Sequence, residues 1–388
     1  MLSSTTLIRN NVTCPAMDYL FPHDIVRNEQ SKLMKDIETA LLEKKNLIAH
    51  APTGLGKTAS ALSVALPFAL EKGFTVFFLT NRHTQHLIAV ETLREIKKKF
   101  KTNFVAADII GKKPMCLQDV KNMSNSEFME FCKISKEQEM CEFYLELYNR
   151  FNVLSTKAAK LQDGFVHGEI AHVGQIKEKC DEHSICPYYF TAELAKGAQV
   201  IIADYFNLFS PVARKSFLAR IGKELEKSIV IVDEAHNLAD RIRDMMSSRL
   251  SAQMVRNAMQ EAQKFSYVNL SDGLRSLLRF LEDMGNVAEE KIVGRNDFLS
   301  GLNEFFDYDM FTGELEVAAQ EVREAQHRSS MGGVAEFLRS WKGSEEGFVR
   351  YIEKNGTFGG APRISLYCSR LDTAELGSFV FDTAYASI

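Results

Sequence analysis

Ala51-Pro-Thr-Gly-Leu-Gly-Lys-Thr58 reads A-x-x-x-x-G-K-T, the pattern of a phosphate-binding loop with Ala in the leading Gly position. The apolar run Leu47, Ile48, Ala49 before it predicts a strand over 46–50, and the spacing from Ala59 to Leu70 predicts a helix over 57–71. In this strand–loop–helix context, backbone N–H groups at the helix N-terminus point at phosphate oxygens. Ala51, Pro52, Thr53, Gly54, Leu55 and Gly56 form the cradle. Lys57 brings a charge to the β- and γ-phosphates, and Thr58 offers a hydroxyl to Mg²⁺. A second string, Ile231-Val-Asp-Glu-Ala-His236, ends an apolar strand with a carboxylate pair. Asp233 at the strand tip suits the Mg²⁺ shell; Glu234 beside it suits orienting and deprotonating a water. The two strings in this order predict a site for ATP and Mg²⁺.

Around them strands and helices alternate. A helix is expected over 28–44, a strand over Thr75–Leu79, a helix over 84–100 ending in Lys97, Lys98, Lys99 and Lys101, and a strand over Phe104–Ala107. The pattern breaks over 112–187. It resumes with a helix over Tyr188–Lys196 and strands over Gln199–Ala203 and Ser228–Val232. This predicts an α/β fold with a mostly parallel sheet. Residues 245–350 carry helical spacing and almost no strand signal. Gly356–Pro362 reads as a turn or linker, Arg363–Tyr367 as a returning strand and Thr373–Phe381 as a helix. The expected organisation is a motor domain at 1–111, a cysteine-rich insertion at 112–187, more motor domain at 188–244, a helical insertion at 245–356, and a return to the motor domain at 357–388.

The 388 residues suffice for two or three domains, and a net charge of −4 means that nucleic-acid binding requires a local groove. No apolar run approaches the ~18 residues of a membrane span, and no signal-peptide segment opens the chain, so a cytoplasmic protein is expected. Of the seven cysteines, Cys116, Cys132, Cys141, Cys180 and Cys186 fall within 116–186, leaving Cys14 and Cys368 apart. In a reducing compartment such clustering suggests a metal or iron–sulfur site rather than disulfides.

The loop, the Asp-Glu-Ala-His box and the spaced cysteines together resemble the XPD-type superfamily-2 helicases, related also to DinG-type enzymes. Asn81-Arg-His-Thr-Gln85 resembles the family's strand-tip motif, which implies that Arg82, Thr84 and Gln85 contact DNA. Met115-Cys116, Cys141-Glu-Phe-Tyr144 and Cys186-Pro-Tyr-Tyr189 resemble its cluster-cysteine contexts. Ala203-Asp-Tyr-Phe-Asn-Leu-Phe209 resembles a further signature, and Phe21-Pro22, Arg27 and Gln30 an adenine-proximal motif. The helical segment after the box resembles the family's arch domain. The resemblance implies a RecA-like fold, a 4Fe–4S cluster on Cys116, Cys132, Cys141 and Cys186, and a role for His236 in coupling the nucleotide site to a second motor domain. Cys180 remains an alternative to Cys132, and zinc an alternative to the cluster. The implied activity is ATP-driven 5′→3′ translocation on single-stranded DNA with opening of fork-like duplexes, by a monomer and in DNA repair. A non-motor ATP-responsive binding module and a zinc protein with a vestigial ATP site are the rival readings. Ala384-Tyr-Ala-Ser-Ile388 resembles the start of the strand before a Ser-Gly-Thr motif, and no Ser-Gly-Thr occurs in the sequence. The expectation is therefore a front half that lacks its second motor domain.

Overall fold

The computed structural model describes residues 18–388 apart from 53, 122, 124, 169, 286–288, 327, 328, 359 and 360. Its strands are β1 (Thr75–Thr80), β2 (Ala106–Ile109), β3 (Val200–Asp204), β4 (Ser228–Val232), β5 (Ser248–Ser251), β6 (Glu290–Ile292), β7 (Phe348–Phe358), β8 (Ala361–Arg370) and β9 (Ala386–Ser387). Five form a parallel sheet in the order β2-β3-β1-β4-β9. These strands are apolar on both faces, as helices covering both sides of a parallel sheet require. Val76, Phe78, Val200, Ile202, Ile229 and Ile231 enter one core, under the helices Asn28–Leu42, Lys57–Lys72 and His83–Phe100. Phe77, Leu79, Ile201, Ala203 and Val230 enter the other. That second core is continuous with Met115, Leu147, Ala158, Ile176 and Cys180, so the cysteine-rich segment packs on the sheet.

The strand expected over 46–50 does not form. Its only ladder contact is a parallel bridge from Asn46 to Ser387, with the Leu47 N–H donating to the Ser387 carbonyl at 2.8 Å. β9 at the sheet edge is two residues long, and beyond the bridge the expected strand stays unpaired, with Ile48 96% exposed. The strand expected over Phe104–Ala107 lies two residues later, at Ala106–Ile109.

The segment after the carboxylate pair is not purely helical. Strands in the order β5-β8-β7-β6 form an antiparallel sheet, against which the helices Ala252–Lys264, Val268–Gly285, Tyr308–Gln326 and Ser330–Trp341 pack a core of their own. The strand expected over Arg363–Tyr367 belongs here, not to the first sheet, and its partner β7 spans residues expected to be helical or linker. The turn or linker expected over Gly356–Pro362 is largely taken up by the paired strands, Phe358 opposite Ala361, and Gly359-Gly360 lie outside the described residues. The return to the first core begins instead with the helix Ala374–Thr383, through Leu376 and Val380.

Candidate nucleotide site and cysteine cluster

The phosphate loop leaves the bridge at Asn46 and ends in the helix Lys57–Lys72. Gly54 and Gly56 have φ of +84° and +85°, the left-handed region where a side chain is strained, and a Cβ on Gly56 would stand 2.7 Å from Gln30 Nε2. Gln30 is 5% exposed, and its Nε2 donates to the Leu55 carbonyl at 2.8 Å. Its Oε1 accepts the Arg27 N–H, and Arg27 Nη1 donates to the Gly54 carbonyl at 3.2 Å. The first turn of the helix Asn28–Leu42 thus braces the loop by its carbonyls and leaves its N–H groups free of these contacts. Ala51 and Leu55 are half-buried and Pro52 is exposed; Thr53 lies outside the described residues.

Lys57 Nζ donates to the Ala51 carbonyl at 3.4 Å and to Glu234 Oε1 at 3.2 Å. Thr58 follows it in the first helical turn, half-buried. β4 delivers Asp233, whose N–H donates to the Leu79 carbonyl at 2.9 Å. Burial and the neighbouring Glu234 raise the Asp233 pKa, against a pull downward from Lys57 and the Glu234 N–H. Glu234 adopts φ +57°, ψ +45°, and its Oε2 lies 3.2 Å from His236 Nδ1. Three donors hold this left-handed carbonyl: the Asn237 N–H at 3.0 Å, Asn237 Nδ2 at 3.3 Å and the Tyr205 hydroxyl at 3.1 Å. Tyr205 also donates to the Asp233 carbonyl. Sequence reading found Tyr205 only as part of a signature; its contact, 28 residues away, has no local pattern. The sheet thus brings Lys57, Asp233, Glu234 and His236 together.

Arg82 is the N-cap residue of the helix His83–Phe100, which follows β1. Arg82 and Thr84 are exposed, whereas Gln85 Oε1 accepts from the Thr80 hydroxyl at the tip of β1.

Cys116 closes the helix Lys112–Met115, Cys132 lies in Asn125–Glu137, and Cys141 and Cys186 are the N-caps of Glu142–Leu147 and Pro187–Gly197. All four are half-buried, whereas Cys180 is 0% exposed. Burial raises the thiol pKa at Cys116, Cys132 and Cys186, the last to about 12. Charge on Cys132 or Cys141 acts on Cys116, charge on Cys141 acts on Cys132, and charge on any of those three acts on Cys186. Cys180 couples to Cys186 alone among them. Lys112, Lys136 and Arg220 all favour the Cys132 thiolate. The same cations lie over Tyr189 at 5.4, 4.8 and 5.0 Å. Among the described residues, no group of three or more His, Cys, Asp or Glu side chains is arranged to hold a metal ion. The donor chemistry is of the kind a thiolate-bound cluster uses: four half-buried thiols that act on one another electrostatically, two of them at helix N-termini, with Lys112, Lys136 and Arg220 favouring the thiolate at Cys132.

The DEAD_2 family model matches residues 78–255, from β1 through the carboxylate pair and into the second body. The chain is 25% identical over 268 residues to the general transcription and DNA repair factor IIH helicase subunit XPD/RAD3 of Saccharomyces cerevisiae, covering 63% of this chain and 33% of that one. It is 26% identical over 268 residues to a regulator of telomere elongation helicase 1 homolog of Caenorhabditis briggsae, covering 61% of this chain and 26% of that one. Among solved structures it superposes on an XPD helicase with TM-score 0.60 and 19% identity, over 94% of this chain and 58% of that one. It superposes on a truncated XPD with TM-score 0.54 and 19% identity, over 92% and 91%. The chain is similar to XPD-type helicases in sequence over its matched region and in fold over most of its length. It spans a third or less of the length of these two curated relatives. The matched region holds the carboxylate pair, the strand-tip motif and all five clustered cysteines, while the phosphate loop lies before it.

Proposed function

We propose that the chain is the nucleotide- and single-stranded-DNA-binding front half of an ATP-dependent 5′→3′ DNA helicase acting in repair. The observation that carries this is Glu234 meeting Lys57 at 3.2 Å, with Asp233 beside it. ATP seated on the loop draws Lys57 from Glu234 to the β/γ-phosphates, which frees the carboxylate to take a proton from the attacking water. Thr58 and Asp233 would hold the Mg²⁺, which would offset charge on the phosphates, and the chain's own contribution is a strand tip and a helix turn that carry the two side chains. Tyr205 and Asn237 keep the Glu234 backbone in its left-handed turn, and His236 restrains its second oxygen. Arg27 and Gln30 hold the loop from its adenine-proximal side. Arg82, Thr84 and Gln85 contact the DNA backbone, Gln85 by leaving Thr80.

The proposal extends to a 4Fe–4S cluster on Cys116, Cys132, Cys141 and Cys186, with Cys180 as core. These four thiolates would hold the cluster, which would supply a structural cross-link between their four segments. The proposed partners are single-stranded and fork-like DNA and a second motor domain, with the chain itself a monomer. The described helices include none long and apolar enough to cross a membrane. A cytoplasmic site of action remains part of the proposal. The test is ATP hydrolysis and strand displacement on duplexes with a 5′ or a 3′ single-stranded tail, with the second motor domain present. Stimulation and opening specific to the 5′ tail, lost in Glu234→Gln, are expected; opening indifferent to the tail removes the polarity assignment.

A further inference from the structure

A buried charged cluster lies beneath the strand-tip loop, centred on a side chain that the nucleotide site does not use. His86 and Asp108 are both 0% exposed, and His86 Nδ1 lies 2.6 Å from Asp108 Oδ1. His86 Nε2 lies 3.6 Å from Asp204 Oδ1, an ion-pair separation rather than a hydrogen bond. The second oxygen of Asp108 accepts the Val173 N–H at 2.8 Å and lies 3.7 Å from His172 Nε2. Val173 opens the helix that carries Cys180, with His172 as its N-cap. One imidazole thus joins β2, β3 and the helix after the strand-tip loop, and through Asp108 reaches the closing end of the cysteine-rich segment. The same helix grips that end twice more. Arg94 donates to the Ile170 carbonyl and to Gln175 Oε1, both at 2.6 Å, and Lys97 to the Gly168 carbonyl at 3.0 Å. Positions 86, 94 and 97 share one helical face.

We propose that His86 is a positioning residue, which through Asp108 and Asp204 fixes residues 170–182 of the cysteine-rich segment against the strand-tip loop 81–85. The placement stands on its own; its consequence for DNA rests on the helicase reading, in which both segments border the strand. The groups facing His86 are Asp108 from β2, Asp204 from β3, His172 beyond Asp108, and His83 on its own helix at a ring distance of 5.9 Å. Burial opposes charge on the ring, but the two carboxylates outweigh it and raise the pKa from the ordinary 6.5 to about 9. A value raised on folding means that the clamp is at full strength below pH 6.5 and is lost as pH rises through about 9. A neutral side chain at 86 leaves Asp108 buried without its cation.

The test is an NMR titration of histidine-labelled protein, together with amide exchange at Val173 in the wild type and in H86Q. A ring midpoint near 9 is expected, with a resonance that disappears in H86Q. Val173 should exchange about tenfold or more faster in H86Q than in the wild type at neutral pH, the two converging as the ring deprotonates. A midpoint at or below 6.5, or one Val173 pH profile shared by both proteins, overturns the proposal. Should H86Q not fold, D204N keeps the Asp108 contact and must lower the midpoint; an unmoved midpoint overturns it equally. Fluorescence anisotropy with single-stranded DNA forms a separate arm. H86Q should bind severalfold more weakly near neutrality. A wild type that binds no DNA defeats the helicase reading, while the ring titration still decides the placement.

Discussion

Lys57 and Glu234 restrain each other at 3.2 Å, and their separate roles make their substitutions diverge. Lys57→Ala removes a charge-assisted contact to phosphate of about 1.5–3 kcal/mol, so nucleotide affinity should fall roughly 10–100-fold. Glu234→Gln breaks the same 3.2 Å pair without touching the cradle, so affinity should hold or rise while hydrolysis is lost. Titration with a fluorescent ATP analogue separates them, and equal loss in both would remove the role assignment. Asp233 adds a pH signature. Its raised pKa means that it takes up a proton at a higher pH than an ordinary aspartate. Mg²⁺-dependent nucleotide binding should therefore weaken on acidification earlier than an ordinary carboxylate would dictate, and Asp233→Asn should flatten that profile. Nucleotide binding followed against pH at fixed Mg²⁺ measures it.

At the scale of elements, the four thiols sit on four separate segments. Cys→Ser at 116, 132, 141 or 186 should each bleach the brown absorbance of anaerobically purified protein, and Cys180→Ser should not. Bleaching by Cys180→Ser but not by Cys132→Ser reverses the ligand assignment; a colourless protein rich in zinc removes the cluster. Burial raises these thiol pKa values, so loading should weaken as pH falls, because metal competes with protons. The hairpin of β7 and β8 makes a second element-level claim. Leu366 is fully buried in the core of the second body, so Leu366→Ala should cost about 2–5 kcal/mol, read from the denaturant midpoint. This hairpin also marks where the sequence was legible. Thr75–Leu79 and Ser228–Val232 are buried on both faces, and their unbroken apolar runs say so. β7 was hidden because Arg350 points inward, its guanidinium donating to the carbonyls of Trp341, Gly343 and Ser344, which breaks the apolar alternation. Leu47-Ile48-Ala49 misled in the opposite sense: apolar residues make a strand only where a partner backbone exists. Tyr205 and His86 escaped because their partners are distant in sequence and close only once the sheet has formed.

On the whole-molecule scale, residues 1–388 provide one wall of the proposed cleft. Tested alone, they should bind ATP–Mg²⁺ weakly and turn it over very slowly even with single-stranded DNA. An arginine from a second domain is worth about 10³–10⁵ in rate at comparable sites. Single-stranded DNA binding should weaken with added salt, since phosphate contacts dominate it. Parallel ATPase and strand-displacement assays check this, and vigorous unwinding by residues 1–388 alone would refute it. The sheet order carries one more consequence, for how the chain finds its fold. β4 and β9 are neighbours, yet the whole second body lies between them in sequence, and Asn46 meets Ser387 across a separation of 341 residues. At equilibrium such a closure is cheap, since each doubling of loop length adds only about 0.6 kcal/mol. Kinetically it is slow, because so distant a pairing must wait for the intervening chain to condense. The second body has its own core and can collapse first, bringing β9 home as it does so. The footing of the phosphate loop is then among the last contacts to form, and competence to bind nucleotide lags behind the folding of everything between.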